Sequence, residues 1–340
     1  MPPEQSQSTN KRPIAALFYD PENDPIFFSI ENKAELHQLL SLQSGILTAE
    51  DILAGQAKDV EILITGWGAS TLTANLLEAM PSLQQVLHVG GSVKGLVGSG
   101  EVFRKGIRVG STNPELAQSV AEFCMGQIIL AGKHVPENRR FVEKNKVYPP
   151  KRYSTDNYPW VVGLIGYGAI ARRLRRLLKG LTIKVWVHDP YLSREEATEE
   201  GIKLVTLPEL FQGSDIVSCH LSHTKATEGM LRGDHFNAMK RRATFLNTAR
   251  GQVINEEELV AVLRRRNDLW AILDVVAHEP IAENHPFHDL PNVILTPHIA
   301  GATGAECRRL GRFATEEILR WTNGEALIGE VAEETLSIRA

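Results

Sequence analysis

Residues 161–171 read Val161-Val162-Gly163-Leu164-Ile165-Gly166-Tyr167-Gly168-Ala169-Ile170-Ala171. An apolar run breaks into two glycines one residue apart. A segment with Ile170, Leu174, Leu177 and Leu178 on one helical face follows. A buried strand that turns tightly into a helix is the arrangement that binds a dinucleotide. Gly166 allows the turn, Gly168 lets a pyrophosphate approach the backbone, and Ala171 is small enough for the helix to pack on the strand. Ala169 and Ile170 open the helix, whose unpaired N–H groups and positive dipole end favour phosphate. The spacing alone also fits an ordinary tight turn, so the next strand matters. Residues 182–188 form an apolar run ending at Asp189, 21 residues beyond Gly168. A carboxylate there can accept both ribose hydroxyls and repels a 2′-phosphate, so the cofactor reads as NAD and not NADP. Arg172, Arg173, Arg175 and Arg176 crowd the intervening helix and read as its solvated face.

Further along, three apolar runs end in polar residues. These are Asn247-Thr248-Ala249-Arg250-Gly251, Asp274-Val275-Val276-Ala277-His278-Glu279-Pro280, and Thr296-Pro297-His298-Ile299-Ala300-Gly301. In a doubly wound sheet such strand ends converge on the ligand crevice. A guanidinium, a carboxylate and an imidazole brought there suit carbonyl reduction. Arg250 can hold a carboxylate and polarise the adjacent carbonyl. His298 can supply the proton, and Glu279 can orient it and keep it protonated nearer neutral pH. Each residue also has a plain structural reading, and spacing does not separate the two.

Before the glycine turn, strand-like runs at 14–19, 61–65, 85–89 and 107–110 alternate with helix-like segments at 32–44, 71–80 and near 93–99. This alternation predicts a parallel sheet covered by helices. A long apolar helix is expected over 115–133, opened by Asn113-Pro114 as N-cap and first residue. Residues 135–159 read as a helix remnant plus an exposed loop. The second series adds strands at 161–165, 182–188, 203–205, 215–220, 243–247, 270–274 and 292–295, and helices at 169–179 and 255–267. Asn255 and Glu258 form a capping pair for the latter. A final helix over 305–322 can cross back to the first domain.

The composition is that of an ordinary globular protein: 340 residues, 43% hydrophobic, 23% charged, net charge −4. It gives no electrostatic reason to bind nucleic acid or an anionic membrane. Cys124, Cys219 and Cys307 are too few and too widely spaced for a disulfide framework or a metal site, which points to a reducing, cytoplasmic setting and no metal. The first twelve residues carry no apolar core of a signal peptide, and no apolar stretch is long enough to span a bilayer.

The glycine turn Gly163–Ala171, the Asn247–Gly251 run, the Asp274–Pro280 element and Thr296–Gly301, in that order, resemble the D-isomer-specific 2-hydroxyacid dehydrogenase family. The resemblance extends from Ile14 to about Asn323. It implies an α/β fold of two doubly wound parallel-sheet domains, with a Rossmann NAD-binding domain inserted into a flavodoxin-like substrate domain. Residues 1–12 would form a flexible arm, 13–112 with 303–340 the substrate domain, and 113–302 the NAD-binding domain. It further implies NAD-dependent interconversion of a 2-oxo acid and a (R)-2-hydroxy acid in a homodimer, with Arg250 as the substrate-binding arginine and Glu279 paired with the general acid/base His298. Asp274 would contact the nicotinamide carboxamide or ribose. Leu221, Thr227, Thr248, Ala249 and Gly301 would line the cofactor beside Gly166, Gly168, Ala169, Ile170 and Asp189. The backbone near Ser92 and Val93 would bind the substrate carboxylate.

Three positions depart from the family pattern. The first-domain loop reads Gly91-Ser92-Val93-Lys94-Gly95-Leu96-Val97, with valine where the family has aspartate and a lysine at a substrate-side position. Lys94 is either a second anion-binding group, as in phosphite dehydrogenases, or a surface lysine. The run His220-Leu221-Ser222-His223-Thr224 lacks the family's proline. Trp67 either narrows the acyl pocket or fills the domain core. Two further functions stay open at this point: a phosphite-type dehydrogenase anchored by Lys94, and a non-catalytic NAD-sensing protein.

Overall fold

The computed structural model describes residues 12–149 and 158–336. They group into two compact units, one of residues 12–116 and 303–336 and one of residues 117–302. The expected N-terminal arm, save its last residue, and the centre of the 135–159 loop lie outside the described residues.

In the first unit, five parallel strands, β1 (Ile14–Phe18), β2 (Ser41–Ile46), β3 (Ile62–Gly66), β4 (Gln85–Val89) and β5 (Arg108–Ser111), stand in the order 2-1-3-4-5. That is the flavodoxin-like winding. β3 and β4 are buried along their whole length, as fits central strands with both faces covered. The short strand Glu330–Val331 adds antiparallel to β5. The helix Arg308–Thr322 buries Leu310, Ala314 and Ile318 in this unit, so the chain's end returns to its first sheet.

The second unit holds seven parallel strands: β6 (Trp160–Ile165), β7 (Ile183–His188), β8 (Lys203–Leu204), β9 (Ile216–Cys219), β10 (Thr244–Asn247), β11 (Trp270–Leu273) and β12 (Val293–Leu295). Their spatial order, β8-β7-β6-β9-β10-β11-β12, is that of a Rossmann sheet, and it reverses between β6 and β9. Val162, Leu164, Ala171, Leu174 and Leu178 are at most 1% exposed, so the helix Ala169–Leu178 seats its apolar stripe on β6 as the sequence pattern predicts. At about 1.5–3 kcal/mol for each large side chain, this stripe fixes the helix against the strand.

The structure corrects several boundaries. The helix expected over 32–44 is Ile30–Leu39, capped by Ser29, and Ser41–Ile46 is an edge strand. Its residues are half exposed and lack an apolar alternation, which is why the pattern hides it. The long helix begins at Asn113, and the carbonyl of Thr112 accepts from Glu115 and Leu116, so the cap falls one residue earlier than Asn113. Residues 135–145 are a full helix and not a remnant. The helices expected at 71–80 and 93–99 shrink to Ala74–Glu78 and Lys94–Val97. Among the described residues no helix is long and apolar enough to cross a membrane.

Candidate active site

At the C-terminal end of β6 the chain turns at Gly166, whose φ of +85° belongs to the left-handed region that favours glycine. A Cβ there would lie 3.0 Å from the His220 carbonyl oxygen. Gly168 caps the helix Ala169–Leu178, and a Cβ on it would meet nothing within 4 Å, leaving open space before the helix N-terminus. The first-turn N–H groups have no partner within the helix. Asp189 follows β7 directly. Its Oδ2 accepts the Tyr167 N–H at 2.6 Å and its Oδ1 the Tyr191 N–H at 2.7 Å, so the carboxylate is fixed against the glycine turn. Of the four arginines, Arg172 pairs with Glu196 and lies over the Tyr167 ring, and Arg175 donates to the Glu200 carbonyl. Both are held by neighbours in their own unit.

β9 ends beside this turn at Cys219, and His220 follows it. Burial pushes the His220 imidazole down to about 4, so it is neutral. Its Nε2 stands 3.0 Å from Ser218 Oγ, while Nδ1 is buried and meets no hydrogen-bond partner among the described residues. An orphaned imidazole nitrogen at the sheet's switch point, beside an open helix N-terminus, fits a polar dinucleotide. The sequence reading did not place His220 in the site; its signal was its position one residue past an apolar run at the switch point. Leu221 packs on the unit's core. Thr227 donates to the Ser222 carbonyl at 2.6 Å and so shapes the loop after β9.

β10, β11 and β12 deliver the remaining groups. Asn247 builds the turn that carries Arg250: Oδ1 accepts from Ala249 N and Nδ2 donates to the Arg250 carbonyl. Thr248 Oγ1 lies 3.2 Å from the buried Cys124 thiol. The guanidinium of Arg250 donates to the Ala249 carbonyl at 2.6 Å. Burial lowers its pKa from the ordinary arginine value and the nearby Glu279 charge opposes the change, so the group stays charged.

Asp274, 2% exposed, accepts from Thr296 Oγ1 at 2.5 Å, Ile299 N at 2.9 Å and Ala300 N at 2.8 Å. The sequence-based expectation gave this carboxylate to the nicotinamide; its hydrogen bonds in the structure go to the loop that bears His298. Gly301 closes that loop. His298 itself has φ +53°, which is uncommon for a residue with a side chain, and its N–H donates to the Asp274 carbonyl. Its Nδ1 lies 2.7 Å from Glu279 Oε2, with about half of the imidazole exposed. Nδ1 facing the carboxylate leaves Nε2 to exchange a proton with a ligand.

The first-unit residues sit at the C-terminal ends of β3 and β4. Trp67 is partly exposed, its ring 5.0 Å from that of the buried Phe27, so it lies at the rim of an aromatic cluster. Val93 is 3% exposed and packs within the unit's core. Ser92 Oγ accepts the Lys94 N–H at 3.4 Å, and Lys94 opens a four-residue helix. The loop ahead of them is tied by Thr112, which exchanges hydrogen bonds with Gly90 N and O.

A Rossmann sheet, a glycine turn with a carboxylate at the end of the second strand, and an imidazole–carboxylate pair beside an arginine define an NAD-linked oxidoreductase. The chain belongs to the D-isomer-specific 2-hydroxyacid dehydrogenase family: residues 125–300 match the model of that family's NAD-binding domain. It is 28% identical over 295 residues to a glyoxylate reductase of Korarchaeum cryptofilum, covering 86% of this chain and 88% of that one. It is 32% identical over 235 residues to the human glyoxylate reductase/hydroxypyruvate reductase, covering 68% and 72%. The crystal structure of apo Rhodotorula graminis D-mandelate dehydrogenase superposes with a TM-score of 0.78 at 23% identity, covering 95% of this chain and 98% of that one. The protein is thus an NAD-dependent 2-hydroxyacid dehydrogenase.

Proposed function

We propose that the enzyme reduces a small 2-oxo acid to the (R)-2-hydroxy acid, with His298 as the general acid/base. The observation that carries this reading is the 2.7 Å contact of His298 Nδ1 with Glu279 Oε2, in the same unit as a half-buried, charged Arg250. Bound NADH supplies the hydride for C2. Arg250 holds the substrate carboxylate and stabilises the negative charge that develops on the carbonyl oxygen. His298 donates its Nε2 proton to that oxygen, and Glu279 orients the imidazole and stabilises its charged form. In the oxidising direction His298 takes the proton back. Relatives named glyoxylate reductase and hydroxypyruvate reductase favour a short 2-oxo acid. The first-unit backbone at Ser92 and Val93, Lys94 and the Trp67 rim supply the substrate side. Residues 12–116 and 303–336 then form the substrate domain and 117–302 the NAD-binding domain. We further propose a homodimer through the second unit, supported by the exposed apolar side chains of Leu130, Val135, Phe141, Val147 and Tyr148.

The test is loss of NADH absorbance with glyoxylate, hydroxypyruvate, pyruvate and phenylpyruvate. Wild-type turnover on one of them, abolished in His298→Ala with NADH binding retained, supports the reading. Arg250→Lys should chiefly lower kcat/KM, because an ammonium does not reproduce the bidentate fork. NADH binding without turnover on any 2-oxo acid overturns it and makes the chain a sensor.

A further inference from the structure

Three reacting groups lie on separate loops, so something must fix the distances among them. Gly251, directly after Arg250, lies so close to the next loop that a Cβ on it would sit 1.9 Å from the Val276 carbonyl carbon. Two side chains downstream then grip the peptide groups on both sides of one residue of that neighbouring loop. Gln252 Nε2 donates to the Ala277 carbonyl at 2.7 Å, and Glu256 Oε1 accepts the Ala277 N–H at 2.8 Å. Ala277 is two residues before Glu279, and the preceding N–H, of Val276, donates to Glu279 Oε1 at 3.3 Å. The other oxygen of Glu256 is also held. His285 Nδ1 accepts the Phe287 N–H, so Nε2 carries the proton, and it stands 3.4 Å from Glu256 Oε2.

We propose that Gln252 and Glu256 are positioning residues: by clamping both sides of Ala277 they lock the Arg250 loop to the loop that aims Glu279 at His298. Neither needs to touch substrate. The clamp gathers residues from the helix start after β10, the loop after β11 and the turn before β12, and it determines where the guanidinium stands relative to the imidazole–carboxylate pair. Part of the helix Glu256–Arg265 is thereby given a role in the reaction. Glu256 opens that helix, where a carboxylate is also favoured by the dipole, so the clamp is built on a stable element.

The inference rests on the proposed roles of Arg250, Glu279 and His298, and its test has one readout that does not need turnover. In Gln252→Ala/Glu256→Ala, amide hydrogen exchange at Ala277 should accelerate by about tenfold or more, because both its tethers are gone. In the same variant kcat should fall by about 10- to 100-fold while the Kd for NADH stays within about twofold, the signature of misaligned reacting groups. Glu256→Gln keeps an oxygen for the Ala277 N–H and should retain kcat within about threefold of wild type, a rescue that loss of carboxylate charge would not allow. Unchanged exchange at Ala277 in the double variant overturns the clamp. Faster exchange with unchanged kcat overturns its positioning role. If the wild type reduces no 2-oxo acid, the reading of the reaction fails instead, and exchange at Ala277 still decides the clamp.

Discussion

The carbonyl of Asp274 accepts the His298 N–H at 2.9 Å, and the same residue's carboxylate takes the next two N–H groups, of Ile299 and Ala300. One buried residue at the end of β11 thus holds His298 in a left-handed conformation that a side chain rarely adopts. The backbone strain of the site is offset by charge-assisted hydrogen bonds in its own support.

Asp274→Asn keeps the volume but turns an amide NH2 group toward N–H donors. We expect a loss of about 1–3 kcal/mol of stability, and a fall in kcat of about 10²-fold from the displaced imidazole. Urea denaturation and steady-state kinetics check this. Unchanged stability combined with lost NADH binding would instead make Asp274 a cofactor ligand.

Asp189→Ser should shift cofactor use. A carboxylate at this strand end would repel a 2′-phosphate, and the substitution removes it together with the acceptor for the Tyr167 N–H. The ratio of kcat/KM for NADPH to that for NADH should rise by about tenfold or more. An unchanged ratio would show that another group discriminates the cofactors.

All three thiols should be inert in the native protein. Cys124 and Cys219 are pushed up to about 12 by burial, and Cys307 is also raised by burial. The thiolate is the reactive form, so at pH 8 it is scarce as well as enclosed. A disulfide reagent such as DTNB should label none of them before unfolding and all three in denaturant. Rapid labelling of any one in the native state would contradict the buried placement.

Acid should destabilise the fold over a defined window. Burial depresses His88 and His220 to about 4 in the folded state. Unfolded histidines titrate near ~6.5, so below that pH the unfolded chain binds more protons. The stability these groups contribute is present above about 6.5 and is lost as pH falls toward 4. Denaturation at stepped pH should show this loss, with His88→Gln giving a shallower slope. A slope unaffected by His88→Gln would remove His88 from the acid transition.

Several elements were legible because their signal is local. The glycine turn, Asp189 at the end of the next strand and the apolar stripe of the helix Ala169–Leu178 each need only short-range chemistry: a positive φ, an unpaired helix N-terminus, a 3.6-residue period. The structure places them as the sequence orders them. β2 escaped because an edge strand half exposed to solvent needs no apolar alternation. The shift of the helix start to Asn113 was equally invisible, since the capping acceptor is the Thr112 carbonyl and every residue carries one.

The sequence by itself determined the doubly wound folds, the nucleotide turn, and the three strand ends that carry Arg250, Glu279 and His298. Only the tertiary structure decided how these groups are aimed. The left-handed φ of His298, the use of the Asp274 carboxylate by the Ile299 and Ala300 amides, the orphaned His220 nitrogen and the grip of Gln252 and Glu256 on Ala277 are all contacts between segments some 20 residues or more apart, or consequences of burial. No local pattern encodes them, because a hydrogen bond between two loops depends on where the intervening sheet places both ends.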